Sequence, residues 1–178
     1  MPSNGQSGVA ERNDEDLALS RRAAAGDSAA FATLVEKHEA PLRAFLARMG
    51  AADIADDVAQ EAFLRAWRAA GQYDGSARYS TWLTSIAWRC RLDELRRRPR
   101  AHPADAVELA TDGPSSEVAD MLARLSDKER AALVLCEGHG WTHSEASEML
   151  GLPLGTLKST VARAKMKCRE MWSGAGHD

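Results

Sequence analysis

The chain has 178 residues, three cysteines and a formal net charge of −3. That length allows one ordinary domain or two small ones, and the acidic sum excludes nucleic-acid binding through bulk charge, leaving only local patches to provide it. Apolar residues make up 44% of the chain and aromatic residues 6%; with much Ala, Leu, Arg and Glu and few β-branched runs, this predicts an all-α fold. The scattered Cys90, Cys136 and Cys168 predict free thiols in a reducing cytoplasm. No apolar run reaches the length of a membrane span, and the N-terminus has no signal-peptide core.

Residues 1–13 are rich in Gly, Ser and Asn and are expected to be disordered. Asp14 to Ala25 reads as a short helix with acids at its positive end, punctuated by Gly26 and Asp27. From Ser28 the apolar spacing of Phe31, Leu34, Val35, Leu42, Phe45, Leu46 and Met49 predicts a longer helix. Pro41 should kink or divide it, and Gly50 should end it.

Asp53 to Ala70 is the next predicted helix. Ile54, Val58, Ala62, Phe63, Ala66, Trp67 and Ala70 give it a broad core face. The other side gathers Asp56, Asp57, Gln60, Glu61 and Leu64. Four acids fall between Asp53 and Glu61 with no base among them. Asp53 and Asp56 can be explained as complements to the helix N-terminus. Gln60, Glu61 and Leu64 lie beyond the first turn, and an acidic patch containing an apolar residue suits a basic partner helix.

Gly71 to Ser80 reads as a loop with an Asp74-Gly75 turn, and Ser80 or Thr81 should cap a helix from Trp82 to about Arg98. Trp82, Leu83, Ile86, Ala87, Cys90 and Leu95 are its apolar residues. Arg78, Arg89, Arg91, Arg96, Arg97, Arg98 and Arg100 outnumber Asp93 and Glu94. Tyr73, Tyr79 and Trp82 beside these arginines suit single-stranded nucleic acid, through stacking and phosphate contacts. The competing reading places Trp82 in the core and lets the arginines solvate a helix end. Pro99 should stop the helix. Between Ala101 and Asp120 there are five acids and no lysine or arginine, which predicts an acidic linker over residues 101–115.

Helix returns near Ser116. Ser126 and Glu129 have capping-box spacing, as do Thr142 and Glu145. The first box opens a helix with Ala132, Leu133, Leu135 and Cys136, broken by Gly138 and Gly140. The second opens a short helix with Ala146, Met149 and Leu150 on its apolar side. Gly151 stands where a helix end needs a left-handed residue, and Pro153 suits a first turn. The following helix buries Leu157, Val161, Ala164 and Cys168. It turns Lys158, Ser159, Arg163, Lys165, Lys167 and Arg169 outward. Two helices of this kind, joined by a tight turn, form either a helix-turn-helix for the major groove or a solvated hairpin. The coincidence of capping box, turn glycine and basic face favours DNA binding.

Cys136, His139 and His143 have C-x2-H-x3-H spacing, which can belong to a zinc site with Cys168 as fourth ligand. Gly138 and Gly140 interrupt the common helical face such ligands need, and both cysteines fall in apolar stripes. His139 and His143 are expected to be exposed. No metal, cofactor or catalytic residue is expected.

Four segments in order resemble the extracytoplasmic-function (ECF) group of bacterial sigma factors. DDVAQEAFLRAW, Asp56 to Trp67, is similar to the group's core-binding motif, and YDGSARYSTWLTSIAWRCRLDELRRR, Tyr73 to Arg98, resembles its promoter-melting region. LSDKERAALVL and LGLPLGTLKSTVARAK look like the two halves of its fourth domain. The resemblance covers about Leu17 to Arg169. It implies two helical domains, region 2 over residues 14–100 and region 4 over residues 116–172, with a tail from 173 to 178. It also implies that Asp57, Gln60, Glu61 and Leu64 hold the β′ coiled coil of RNA polymerase core, with the β flap as a second contact. Ser76, Ala77, Arg78 and Tyr79, with Arg89, would take the minus-ten element as melted DNA. Lys158, Ser159, Thr160, Ala162 and Arg163 would read the minus-thirty-five element. The acidic linker would occupy the RNA exit channel, and the protein would be cytoplasmic, with a cognate anti-sigma factor able to hold it at the inner membrane. Thr160 and Ala162 depart from the arginine and bulky residue common in the group, and Trp88-Arg89 replaces a common Arg-Asn pair. The alternative is a helix-turn-helix regulator that acts without polymerase core, which leaves the Asp57 patch unexplained. A serine recombinase would need a strand-rich catalytic domain, for which the sequence gives no pattern.

Overall fold

A computed structural model describes residues 4–50, 52–97 and 116–174. The elements are α1 (Asn4–Ala24), α2 (Ser28–Arg48), α3 (Ala55–Arg68), α4 (Tyr79–Arg97), α5 (Ser116–Ala123), α6 (Asp127–Leu133), α7 (His143–Leu150) and α8 (Leu154–Gly174). Short 3-10 turns, Ala52–Ile54 and Ala70–Gln72, flank α3, and a π-turn, Val134–Gly138, follows α6. Among the described residues every regular element is helical, as the composition predicts, and no helix is long and apolar enough to cross a membrane. They fall into two compact units. One contains α1, α2 up to Arg43, α3 and α4; the other contains residues 44–52 and α5 to α8. The expected linker, Pro99, Arg98 and Arg100 lie outside the described residues, as do residues 175–178 of the tail.

In the first unit α3 packs against α4. Val58, Ala62, Phe63 and Ala66 from α3 and Leu83 and Ala87 from α4 are all buried. Phe31 stands edge-on to Phe63 and Trp67, with ring centroids 6.4 and 4.9 Å apart, a favoured aromatic geometry. Gly26, at φ 93°, ends the α1 region. Asp27 then caps α2, its carboxylate accepting the Ala30 N–H at 3.0 Å.

Two expectations are corrected here. The N-terminal helix starts at Asn4 rather than Asp14. Within the helix, Asn13 is held by non-local contacts. The Asn13 amide donates to the Gly75 carbonyl at 3.1 Å and accepts from the Tyr73 hydroxyl at 2.8 Å. Pro41 does not divide α2. Its ring is exposed, and buried Leu34, Leu42, Phe45 and Leu46 on either side hold the helix through the one missing hydrogen bond.

The second unit keeps both capping boxes. Ser126 and Thr142 accept the N–H groups of Glu129 and Glu145, and each glutamate accepts the N–H of its capping residue. The α6 helix ends at Leu133 in the π-turn, before the glycines expected to break it. Gly151, at φ 62°, ends α7 in the left-handed region. Pro153 precedes α8, and its carbonyl accepts the Leu157 N–H at 2.9 Å. Leu157, Val161 and Ala164 are buried, as are Leu135 and Ala146.

Glu129 does more than cap. It is 7% exposed, and its second oxygen accepts from Lys167 of α8 at 2.8 Å. The Lys167 and Ser126 hydrogen bonds hold its carboxyl at about 2, below the ordinary 4.5. A lowered folded value means the contribution is complete above about pH 4.5 and lost as the pH falls toward 2. Glu129→Gln should therefore lower stability at pH 7 by about 1–2 kcal/mol. The gap between the two proteins should close across that acid window in thermal melts of the full chain. A gap independent of pH would show that the charge contributes nothing.

Candidate functional site

The α3 helix buries one face and so determines the other. Asp56, Asp57, Gln60 and Leu64 are exposed and Glu61 is half-buried; Leu64, at 51% exposure, is the large apolar side chain among them. Not all of these groups are free. Asp56 pairs with Arg43 of α2, which also pairs with Glu39. Glu61 accepts from Arg65 at 2.7 Å, and Arg65 reaches Asp93 of α4 at 3.0 Å. Such surface pairs contribute little stability but fix side-chain positions. Asp57, Gln60 and Leu64 remain without a charged or hydrogen-bonding partner among the described residues.

The segment after α3 presents a turn. The Asp74 carboxylate accepts the Ser76 N–H at 2.9 Å, an Asx turn, and Gly75 has φ 80°. Ser76 and Arg78 are exposed and Ala77 is half-buried. Tyr79 is different: it is 1% exposed, and Tyr73 is 4% exposed. The expectation that these tyrosines stack on unpaired bases is therefore corrected. They pack edge to face at 5.2 Å, and both approach half-buried Trp82, at 5.3 and 5.4 Å. Burial pushes the Tyr73 phenol up to about 12 and raises that of Tyr79 also. The cause is that α4 begins at Tyr79, not Trp82. The stripe Tyr79, Leu83, Ala87, Cys90 is buried as one helical face, and extending it one turn back from Leu83 would have revealed this.

Behind the turn stands α1. Besides Asn13, its Ser20 hydroxyl donates to the Ala70 carbonyl at 3.1 Å. Asp16, 5% exposed, accepts from Lys37 at 2.6 Å and meets the His38 ring nitrogen at 3.0 Å. Burial alone would raise the Asp16 carboxyl; the His38 and Lys37 hydrogen bonds outweigh it and hold it below the usual value. The His38 ring lies 5.0 Å from that of Tyr79. Sequence reasoning missed Asn13 and Asp16. The available signal was the i, i+3, i+4, i+7 set Asn13, Asp16, Leu17, Ser20 on one helix face.

The α4 helix carries Arg89, Arg96 and Arg97 outward. Arg91 is corrected: it is 2% exposed, its guanidinium 5.1 Å from the Trp88 ring centroid, a cation–π contact. Leu95, expected in the core, is 43% exposed.

On α8, Lys158, Ser159, Ala162 and Arg163 face outward. Thr160 does not. It is 6% exposed, and its hydroxyl donates to the Thr156 carbonyl one turn back at 2.8 Å, so the side chain does not lie on the outward face with the other four. Lys165 pairs with Glu137 at 2.9 Å and Lys167 with Glu129. Lys158, Arg163 and Arg169 thus keep their charge unpaired among the described residues. His139 and His143, expected to be exposed, are half-buried, and burial lowers the His139 value. No group of three His, Cys, Asp or Glu side chains converges among the described residues as a metal site would require.

Three surfaces of different chemistry result: an acidic–apolar helix face, a short polar turn with Arg78, and a basic helix face. Comparison with known proteins matches residues 34–101 to the Sigma-70 region 2 family and residues 115–168 to Sigma-70, region 4. The chain is 35% identical over 176 residues to the ECF RNA polymerase sigma factor SigM of Mycobacterium tuberculosis H37Rv, covering 93% of this chain and 88% of that one. It is 28% identical over 168 residues to the ECF RNA polymerase sigma factor SigW of Bacillus subtilis 168, covering 82% and 90%. Among solved structures it is similar to CnrH in complex with the cytosolic domain of CnrY, at a TM-score of 0.69 and 27% identity, covering 90% of this chain and 98% of that one.

The turn yields a direct check of burial. Tyr79→Ala should cost about 3–5 kcal/mol, as emptying a core aromatic site does. Arg78→Ala should stay within about 0.5 kcal/mol. Urea titration of the two full-length variants separates them; equal losses would contradict the inward tyrosine.

Proposed function

The chain belongs to the ECF RNA polymerase sigma factors, and from that membership we propose how its surfaces divide the work. An ECF sigma factor binds core polymerase, recognises the minus-thirty-five and minus-ten promoter elements and promotes melting at initiation. In our reading the α3 face receives the β′ coiled coil of core. The observation that carries this is exposed Leu64 beside unpaired Asp57 and Gln60. An apolar anchor rimmed by acids complements a basic helix, and a helix-turn-helix regulator working alone has no need of it. Glu61, fixed by Arg65, would contribute a prearranged carboxylate at the rim.

Ser76, Ala77 and Arg78, with Arg89 on α4, would take the melted minus-ten strand. Tyr79 acts from beneath them by holding the turn. Unstacking a base costs a few kcal/mol, which contacts at the turn must offset. On α8, Lys158, Ser159, Ala162 and Arg163 would meet the minus-thirty-five element in the major groove, with Thr160 holding the helix. The region 2 and region 4 units, joined through residues 101–115, gain from effective concentration once both sit on core, where the β flap would receive region 4. Bond-making chemistry remains with core, so the chain itself needs no catalytic residue. Because the similar CnrH was solved with the cytosolic domain of CnrY, we include a cognate anti-sigma factor among the partners.

Run-off transcription with purified core on genomic fragments tests this reading and yields a promoter. Changing Asp57, Gln60 and Leu64 together to alanine should weaken core binding at least tenfold in a fluorescence titration, with an unchanged melting temperature. Unaltered affinity would remove α3 from the interface. Lys158→Ala and Arg163→Ala should each weaken promoter binding by holoenzyme. A lost phosphate contact lowers the slope of log K against log salt by about one, whereas a lost base contact relaxes preference at one position. Normal transcription by both variants from a promoter that depends on its upstream element would refute the α8 assignment.

A further inference from the structure

The turn that we assign to the minus-ten strand is not self-supporting. Its backbone is anchored from the N-terminal helix by side chains that the group's core-binding and promoter motifs do not contain. Along α1, Asn13, Asp16, Leu17 and Ser20 share one face, and each meets a different part of the same segment. Ser20 holds its start at the Ala70 carbonyl, at 3.1 Å. Asn13 holds its middle, donating to the Gly75 carbonyl at 3.1 Å. That bond fixes the orientation of the Asn13 amide, so its oxygen faces the Tyr73 hydroxyl, 2.8 Å away; the same hydroxyl is 2.8 Å from the Ala77 carbonyl. Leu17 packs beneath Gly75, where a Cβ would lie 2.9 Å from one of its methyls. Asp16 reaches the end of the segment indirectly. It engages Lys37 and His38, and the His38 ring packs on that of Tyr79.

We propose that this face of α1 is a splint that sets the geometry of the 73–79 turn, and through it the base selectivity and opening of the minus-ten element. This rests on the reading that the turn takes that strand. Asn13 is then a positioning residue for promoter melting that touches no DNA. The physical need is plain. A short exposed turn carrying a glycine at φ 80° samples many backbone states on its own, and ordering them at the moment of binding would consume binding energy. One side-chain hydrogen bond to a carbonyl of the turn, one to its Tyr73 hydroxyl and one apolar contact order it before DNA arrives, with Ser20 holding the chain just before it. Asn13 holds the Gly75 carbonyl directly and shares a second contact with Tyr73, so the effects of the two residues should overlap in part.

The test uses holoenzyme, core plus full-length variant, on a promoter found by run-off transcription. Permanganate reactivity of minus-ten thymines reports opening, and single-base substitutions across the element report selectivity. Asn13→Ala and Tyr73→Phe should each reduce open complex about tenfold and flatten the preference among minus-ten substitutions. Core affinity and binding to an isolated minus-thirty-five duplex should not change. The double variant should lose less than the sum of the two single losses, since the two residues share one link while each also holds a carbonyl of its own. Tyr73→Phe keeps the ring packing, so it preserves the test if Asn13→Ala folds poorly. Arg78→Ala is the reference. If Arg78→Ala loses opening while both splint variants keep wild-type opening and selectivity, the splint is wrong and the loop reading stands. If Arg78→Ala also opens and selects as wild type, the loop reading falls, and the proposal falls with it. A uniform loss of opening with selectivity intact would reduce Asn13 to ordinary stability and would equally overturn the proposal.

Discussion

The burial of Tyr79 is the constraint on which the region 2 surface depends. Its ring meets His38, Tyr73 and Trp82 at centroid distances of 5.0 to 5.4 Å, and it is the first residue of α4. Once that ring is inside, the helix starts there and the preceding residues must turn back over it. Arg78 and Ser76 are thereby placed outside, because the chain immediately before a buried helix start has only the surface left to occupy. The same choice sets the phase of α4. With Tyr79, Leu83, Ala87 and Cys90 inward, Arg89 is carried outward. One core side chain therefore fixes the exposure of a loop and of a helix face ten residues farther on.

What could be read in the sequence follows from the range of the responsible interaction. Capping boxes are local, and Ser126 with Glu129 and Thr142 with Glu145 occur where their spacing places them. Gly151 is local too: only its own φ matters, and it takes the left-handed value. The apolar stripe of α8 is nearly local, and Leu157, Val161 and Ala164 are buried as the period requires. The misreadings share the opposite property. Asn13, inside α1, is held by a carbonyl and a hydroxyl more than fifty residues away. Arg91 reads as surface charge until Trp88 is known to lie under it. Tyr73 and Tyr79 read as stacking platforms because aromatic residues near arginines fit a single-stranded site as well as they fit a core. Thr160 matches a reading position by resemblance, and the face it occupies is instead turned inward. Residue type cannot separate such alternatives; the helix phase can, and for Tyr79 it was available one turn upstream.

Charge pairing refines the electrostatic picture in a way a net charge of −3 cannot. Of the basic residues on α8, Lys165 and Lys167 are engaged by Glu137 and Glu129 inside the domain. This divides the helix into a structural set that ties α8 to α6 and the π-turn, and an outward set of Lys158, Arg163 and Arg169. The same division runs through α3, where Asp56 and Glu61 are paired and Asp57 is not. In both helices the paired charges stiffen the platform and the unpaired ones are left for a partner.

A small unpaired set has a consequence for affinity. Each phosphate neutralised contributes a limited, salt-sensitive increment, so three free bases on α8 give region 4 modest affinity for duplex DNA by itself. Overall acidity opposes nonspecific binding further. Such a chain gains little from searching DNA alone and much from being held on core, where effective concentration makes a weak upstream contact sufficient. In the reading proposed above, selectivity can then rest on a few contacts at the 73–79 turn, provided that turn is ordered before the strand enters it. The weak charge of α8 and the close anchoring of the turn would then be two sides of one arrangement, in which the polymerase would supply affinity and the contacts of this chain would supply discrimination.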